Sequence, residues 1–193
     1  MSGAGHGHGA DHGAPGSQKI ALLISVLALV LAFAETLGKG AQTTAIDKNI
    51  EASNMWSFFQ AKTIRMTVVR TAAEAAEVDL KQISLPKTKE AIEQRVAAWR
   101  KTAERYDSEP ETGEGRKELA ARAKEAEKVR DRSLAAYHHY ETASGALQIA
   151  IVLSSAAIIT GMAVLVWIAI GLGVVGLVFC GIAFFAPLAV HLF

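Results

Sequence analysis

The stretch Gln42–Ile83, QTTAIDKNIEASNMWSFFQAKTIRMTVVRTAAEAAEVDLKQI, decides the fold of this chain. It has no obvious break, and residues recur in it at alternating steps of four and three. This spacing is the heptad pattern of one long helix that packs against a partner helix. The series is Met55, Phe59, Lys62, Met66, Val69, Ala73, Ala76, Leu80 and Ile83.

A second apolar run lies on the other side of the same helix, and it comprises Ala61, Ile64, Val68, Ala75 and Val78. A helix with two apolar faces needs two partners. We therefore predict a homo-oligomer, in which a neighbouring copy covers the face that the chain leaves open. The alternative is that later helices of the same chain cover both faces. The predicted oligomerisation seam is Met55, Phe59, Lys62, Met66, Val69 and Leu80, with Lys62 as the polar residue that sets register or subunit number.

The charged residues are concentrated in the middle of the 193-residue chain. Of its 20 basic and 19 acidic residues, all but Asp11, Lys19 and Glu35 fall within 39–141, and none follows Glu141. This predicts a soluble helical domain at 39–141 between membrane segments. Acidic and basic residues alternate, and the net charge is +1, so a nucleic-acid partner is not predicted. Cys180 is the only cysteine, which excludes an intramolecular disulfide.

Residues 1–18 are rich in Gly, Ala and His and are predicted to be a disordered tail. Three histidines on such a segment bind metal weakly, so no metal site is predicted. Ile20–Ala34 is an apolar run that, with the next few residues, reaches the length of a span at 19–38. The alternative is a signal peptide cleaved after Ala32-Phe33-Ala34.

One face of this first span carries small residues and ends on an acidic one. It consists of Ala21, Ser25, Ala28, Ala32 and Glu35. Small residues allow membrane helices to approach closely, so Glu35 is predicted to face a packing interface. An intramembrane ionisable residue is a candidate functional group. The alternative is a carboxylate that reaches the headgroups near Lys39.

Further helices are predicted at Lys87–Asp107 and from Arg116 onward, separated by a loop at 108–115. The third helix has a seam that runs into the next apolar segment. Where it should enter the membrane stand Tyr137, His138, His139 and Tyr140, which we interpret as membrane-interface anchors. Alternatively, His138 and Glu141, three residues apart, share a metal ion or a proton.

The charge-free C-terminal part predicts a transmembrane hairpin at 145–190, with its turn near Gly161 or near 167–171. A small-residue face in its first span is a fitting partner for the one in the first transmembrane helix; it comprises Ala150, Ser154, Ala157 and Gly161. Gly171, Gly173 and Gly176 match the G-x-G-x-x-G string of dinucleotide sites. Because they lie in an apolar span with no acidic residue after them, we interpret them as close-packing glycines.

Two segments resemble the domain of unknown function 4337 family of bacterial membrane proteins: Asn54-Met-Trp-Ser-Phe-Phe-Gln-Ala-Lys-Thr-Ile-Arg65, and Leu147–Leu153 leading to Ile159-Thr160-Gly161. The resemblance covers about 19–185 and implies three spans in the bacterial inner membrane. It implies no activity. Family members often carry a basic pair after this Thr-Gly, where this chain has Met162 and Ala163. The side of the membrane on which the soluble domain lies therefore stays open.

The sequence thus predicts an all-α membrane protein with three transmembrane helices and a projecting helical coiled-coil domain between the first two. No catalytic constellation or cofactor motif is evident, so no enzyme and no cofactor are predicted. The predicted partners are membrane lipid, further copies of the chain and a larger membrane complex. The expected function is a homo-oligomeric scaffold or accessory assembly. The alternatives are an ion channel with Glu35 in its path, or a pH sensor that uses His138 and His139.

Overall fold

The computed structural model describes residues 15–190, and all regular structure in this range is α-helical. This confirms the all-helical fold class. The N-terminal tail before residue 15, with its histidines, lies outside the described residues, and the first helix begins inside the segment predicted as tail. The helices are α1 (Pro15–Leu80), α2 (Pro86–Asp107), α3 (Arg116–Thr160) and α4 (Ala163–Phe185).

The chain divides into two compact units, and both α1 and α3 contribute residues to each of them. Within the described residues, unit 1 contains 15–42 and 133–190, and unit 2 contains 43–132. Unit 2 is therefore slightly shorter at both ends than the soluble domain predicted at 39–141.

The span and the long helix that the sequence predicts as neighbours are parts of α1. The helix ends at Leu80, a few residues before the predicted end. Leu85 then takes an extended backbone conformation, with φ −84° and ψ 115°, and Pro86 is the first residue of α2. A residue that precedes proline is disfavoured in the helical region, and proline is tolerated in the first turn, so Pro86 sets the start of α2.

Glycines with a left-handed backbone lie in the two later turns. Gly113 has φ 68° in the loop before α3, and Gly161 has φ 69° directly after α3. Glycine adopts this conformation without steric cost and commonly ends helices. Gly161 therefore places the turn between α3 and α4 at the first of the two predicted positions.

In unit 2, α2 and α3 run antiparallel to α1. The residue number of the contacting partner on α2 or α3 rises as the residue number along α1 falls. The contacting pairs are Glu77–Arg100, Lys62–Tyr106, Phe59–Arg116, Trp56–Glu127 and Asn49–Arg130. α2 therefore packs along one part of α1, and α3 packs along the next. Unit 2 is therefore one long helix, α1, packed against two shorter helical segments that follow one another in the chain. We call these two segments, α2 and the part of α3 in unit 2, the return path.

In unit 1, α1, α3 and α4 pack around a core that includes Leu27, Ala34, Leu147 and Ala169. Two glycines of α4 allow the close approach. A Cβ at Gly173 would lie 2.8 Å from Leu27, and one at Gly176 would lie 2.7 Å from Leu147. Both glycines therefore pack closely, as the sequence predicts for the G-x-G-x-x-G string, whereas Gly171 has open space around it.

Candidate interaction surfaces

The predicted oligomerisation seam packs inside unit 2. Met55 and Met66 are buried, with 7% and 5% of their surface exposed, and Phe59, Val69 and Leu80 are half-buried. Whether these residues also act in oligomerisation stays a prediction. Since α2 and α3 already lie against this side of α1, a second copy would meet a different face of the helix.

Lys62, the polar member of that seam, is held by groups of the same unit. Its ammonium lies 3.7 Å from a carboxylate oxygen of Glu114 and 5.4 Å from the ring centroid of Tyr106. Only 14% of its side chain is exposed. The aliphatic stem is thus buried while the charge has an anion and an aromatic face nearby, which makes a lysine tolerable at a core position.

The opposite face of α1 in unit 2 is apolar and open. Ile64, Val68 and Val78 have exposed fractions of 64%, 61% and 57%. The same spacing of three and four residues extends this face toward the N-terminus through positions that our reading of the sequence missed. We call it the exposed seam: Ile46, Ile50, Ser53, Ser57, Ala61, Ile64, Val68, Thr71, Ala75 and Val78, all exposed and uncharged.

The exposed seam is long and shallow. From Ile46 to Val78 it extends for about 48 Å at the rise of an α-helix. An open groove of about 590 Å³ lies along its middle, lined by threonine, alanine, Ile64 and Val68. The sequence signal that could have found Ile46 and Ile50 is the heptad spacing itself, which continues from the predicted run.

Polar pairs fix the register of the helices in unit 2. The indole N–H of Trp56 donates to a carboxylate oxygen of Glu127 at 2.9 Å, and Arg130 donates to the amide oxygen of Asn49 at 3.4 Å. These bonds join residues 71 and 81 positions apart in the chain. Heptad spacing alone does not reveal such pairs.

The corner between α2 and α3 is held by charged hydrogen bonds. Lys117 lies 2.8 Å and Arg116 3.2 Å from the carboxylate oxygens of Asp107. The hydrogen bond from Lys117 is the largest cause that lowers the pKa of Asp107 below its usual value. Gly115 is required here, because a Cβ would collide with the backbone nitrogen of Glu109.

Glu118 completes this corner from the first turn of α3. Its carboxylate accepts a hydrogen bond from the Ser108 hydroxyl at 2.6 Å and one from the backbone N–H of Glu109 at 3.1 Å. The bond from Ser108 is the main cause that lowers the pKa of Glu118. Both carboxyl groups therefore stabilise the corner in their charged form.

The four residues interpreted as membrane-interface anchors differ in burial. His139 is buried, its Nε2 lies 3.0 Å from the carbonyl oxygen of Pro187, and its ring stacks on Phe179. Tyr140 is buried against Gly38. Tyr137 and His138 are half-buried, and His138 Nδ1 lies 3.7 Å from Glu141. Their role as interface anchors stays a prediction.

The predicted pairing of small-residue faces within unit 1 is wrong. Ala150, Ser154 and Ala157 are buried as expected. The face of α1 predicted to cover them is exposed instead, and α1 turns Leu27 and Ala34 toward the core. The exposed face is Ala21, Ser25, Ala28, Ala32 and Glu35. Small residues mark a surface suited to close packing but do not identify the helix that packs on it.

Glu35 has a partner on α3 that the sequence did not reveal. The side-chain amide of Gln148 donates to a carboxylate oxygen of Glu35 at 3.2 Å, and both side chains are exposed. Among residues 15–190, no three His, Cys, Asp or Glu side chains converge in an arrangement that could hold a metal ion.

The fold and these surfaces define an all-helical protein with helices long and apolar enough to cross a membrane. Within the described residues these are α3, α4 and the part of α1 that begins at Gly16. The chain belongs to the family described as domain of unknown function (DUF4337), whose model matches residues 16–186. This confirms the family predicted from the sequence. No curated protein and no solved structure matches the chain.

Proposed function

We propose that this chain is a non-enzymatic integral membrane protein of the bacterial inner membrane, and that unit 2 assembles it into a homo-oligomeric scaffold or accessory complex. The assembly forms through a coiled coil of α1 helices. The observation that carries this proposal is the exposed seam, an uncharged heptad face on the side of α1 away from the buried Met55 and Met66.

Membrane insertion of unit 1 is supported by the surface of its helices. In the most apolar window of each of the three helices, at most 33% of the residues are buried within the chain. The remaining apolar surface is suited to lipid tails, and the runs have the length of about 20 residues that a span requires. The bacterial inner membrane as the location rests on the family resemblance given above.

Self-association is favoured by the chemistry of the exposed seam. Covering a side chain such as Ile64 or Val68 contributes about 1.5–3 kcal/mol when burial is complete. A second copy is the proposed partner because the seam carries no charge, so two identical faces meet without repulsion. Copies inserted in the same orientation present their α1 helices in parallel, and each seam residue then meets its counterpart across a symmetry axis.

The proposal of a non-catalytic role is supported by the motifs of the sequence and by the contacts of its polar residues. The sequence contains no phosphate-binding loop, nucleophile elbow or set of Cys and His ligands. The polar clusters described for unit 2 hold helices together, as those around Asp107 and Trp56 do.

The experiment is to measure the mass of the full chain in mild detergent for the wild type and for Ile64→Asp/Val68→Asp. We expect the wild type to be oligomeric and the variant to be monomeric, because paired aspartates would have to be buried in the contact. Gln94→Asp/Ala98→Asp is the matched control, since it adds two carboxylates with the same spacing at exposed positions of α2. The control should keep the oligomeric mass.

Circular dichroism of the same samples separates loss of assembly from loss of folding. Both altered positions are exposed within the chain, so the helical signal should stay at the wild-type level. A monomeric wild type would overturn the proposal, and so would an oligomer that keeps its mass in the double variant. In the second case, the contact between copies would lie outside the exposed seam.

A further inference from the structure

The exposed surface of α1 in unit 1 consists of two faces of different character. One face carries large apolar side chains that suit lipid tails: Leu22, Val26, Leu29, Phe33 and Leu37. The other carries the small residues from Ala21 to Ala32 and ends on Glu35. We call the second one the small face. It differs from the lipid-suited face in offering little side-chain bulk and a polar group.

The Glu35–Gln148 pair gives the small face an unused capacity for hydrogen bonds. A carboxylate has about four lone-pair sites, and an amide has two N–H groups and an acceptor oxygen. The bond from Gln148 to Glu35 uses one N–H and one lone pair. Most of the capacity of the pair therefore lies on the exposed surface of unit 1.

The pair lies at a depth where polar groups without hydrogen-bond partners would be costly in a bilayer. No charged residue follows Glu141, and Gln148 is seven residues further along α3, a distance of about 10 Å. The hydrocarbon core is about 30 Å thick and offers no hydrogen-bond partner. Ionisable residues in spans almost always face protein or a water-filled cavity. A surface with polar groups should therefore cover the pair.

We propose that the small face and the Glu35–Gln148 pair form an intramembrane contact with the same face of a second copy. The proposal rests on the proposed membrane insertion and self-association of the chain. A second copy in the same orientation brings its own pair to the same depth, and the pair contains both donors and acceptors. The alanines and Ser25 allow the two α1 helices to approach closely, as small residues do in membrane helices.

Cysteine cross-linking in intact membranes tests this contact in the full chain. In a Cys180→Ser background, Ala32→Cys introduces a thiol on the small face, and Phe33→Cys introduces one at nearly the same depth on the lipid-suited face. Mild oxidation should give a covalent dimer for Ala32→Cys and little for Phe33→Cys. Equal dimer yields, or none at either position, would overturn the proposal.

The polar pair is tested in the Ala32→Cys background. Glu35→Ala combined with Gln148→Leu should lower the dimer yield on the order of three- to tenfold, the usual range for interhelical hydrogen bonds in membranes. Glu35→Gln should retain most of the yield, because an amide still donates and accepts. Thr160→Val is the control, since Thr160 is exposed at the far end of α3 and donates its hydroxyl to Ala156 within its own helix. A yield that is indifferent to the double variant would remove the pair from the contact.

Two further outcomes separate this proposal from its competitors. If Glu35→Cys reacts rapidly with a charged, membrane-impermeant thiol reagent, Glu35 faces a water-filled path and the contact is overturned in favour of a conducting assembly. Adding Ile64→Asp/Val68→Asp to Ala32→Cys tests whether the contact in unit 1 depends on the exposed seam in unit 2. Persistent cross-linking supports the membrane contact even where the exposed seam fails, whereas complete loss shows that the contact does not form by itself.

Discussion

The two sides of α1 in unit 2 are alike in sequence and different in the structure. Both follow steps of three and four, yet Met66 on one side is buried while Val68 on the other side has 61% of its surface exposed. The buried side even contains Lys62, whereas the residues of the exposed seam are all uncharged. Hydrophobicity therefore does not decide which side the chain covers. The return path of α2 and α3, and the polar pairs that fix it, decide it.

An apolar seam therefore indicates that a helix needs a partner, but it does not identify that partner. Where α1 faces α3, the half-buried indole of Trp56 and the exposed amide of Asn49 meet specific groups. The exposed side offers serine, threonine and alanine between its larger residues, a composition that allows a flat contact with a like surface.

The largest expected effect is the loss of stability when a residue of the buried side, and not one of the exposed side, is truncated. Met66→Ala should reduce the free energy of unfolding of unit 2 by about 2–5 kcal/mol, because it leaves a cavity in a packed core. Val68→Ala should change it by about 0.5 kcal/mol or less in the monomeric chain, since the side chain is exposed. Hydrogen exchange of amides in unit 2, measured in dilute detergent solution, gives both values. Equal losses would mean that the two sides are covered alike.

An intermediate effect is expected from the polar pair that fixes the buried side. Glu127→Ala leaves the half-buried indole N–H of Trp56 without its acceptor, which should cost about 1–3 kcal/mol. Lys128→Ala is the neighbouring control and removes an exposed ion pair with Glu125, worth about 0–1 kcal/mol. The same exchange experiment measures both. A loss in the control as large as in Glu127→Ala would contradict a specific role of this bond in setting the register.

The smallest expected effect is the loss of stability of unit 2 at low pH. The pKa values of Asp107 and Glu118 are lowered in the folded chain, so the folded state binds fewer protons than the unfolded state. Their contribution to stability is present above the unfolded pKa values of about 4 and is lost as the pH falls through the folded ones. The midpoint of thermal unfolding of unit 2, followed by circular dichroism, should therefore decrease from pH 6 to pH 3.

Glu118→Gln isolates this contribution. The variant should show a smaller decrease between the two pH values than the wild type, because one of the two carboxyl groups no longer titrates. Glu125→Gln, which removes a carboxyl group from an exposed position of the same helix, should keep the wild-type decrease. If both variants behave like the wild type, the corner between α2 and α3 does not depend on the charge of Glu118.

The helices of unit 2 could be predicted from the sequence because their apolar and charged residues recur with the spacing of an α-helix. The loop at 108–115 and the start of α3 at Arg116 follow from Pro110, Gly113 and Gly115. The turn at Gly161 was one of two predicted positions. The order of contacts was not predictable, since α2 and α3 each could have packed along any part of a long uniform seam.

Unit 1 was less predictable for a different physical reason. Its helices are apolar all around, so periodicity does not distinguish a buried face from one suited to lipid. The face of α1 with Leu27 and Ala34 lies in the core, whereas the face with Ala28 and Ala32 is exposed. The contact of Glu35 with Gln148 joins residues 113 positions apart, and no local pattern records it.

The two-piece return path gives the chain a simple way to change its length. α2 packs along the part of α1 beyond Lys62, and the corner from Asp107 to Glu118 anchors where α3 begins. Two turns of helix take about seven residues, so an insertion of seven in α1 and seven in α2 keeps every face in register. Such paired insertions would lengthen unit 2, and paired deletions would shorten it, while the segment of α3 next to Trp56 stays as it is. The length of the α1–α2 pair can therefore change without a change in its packing.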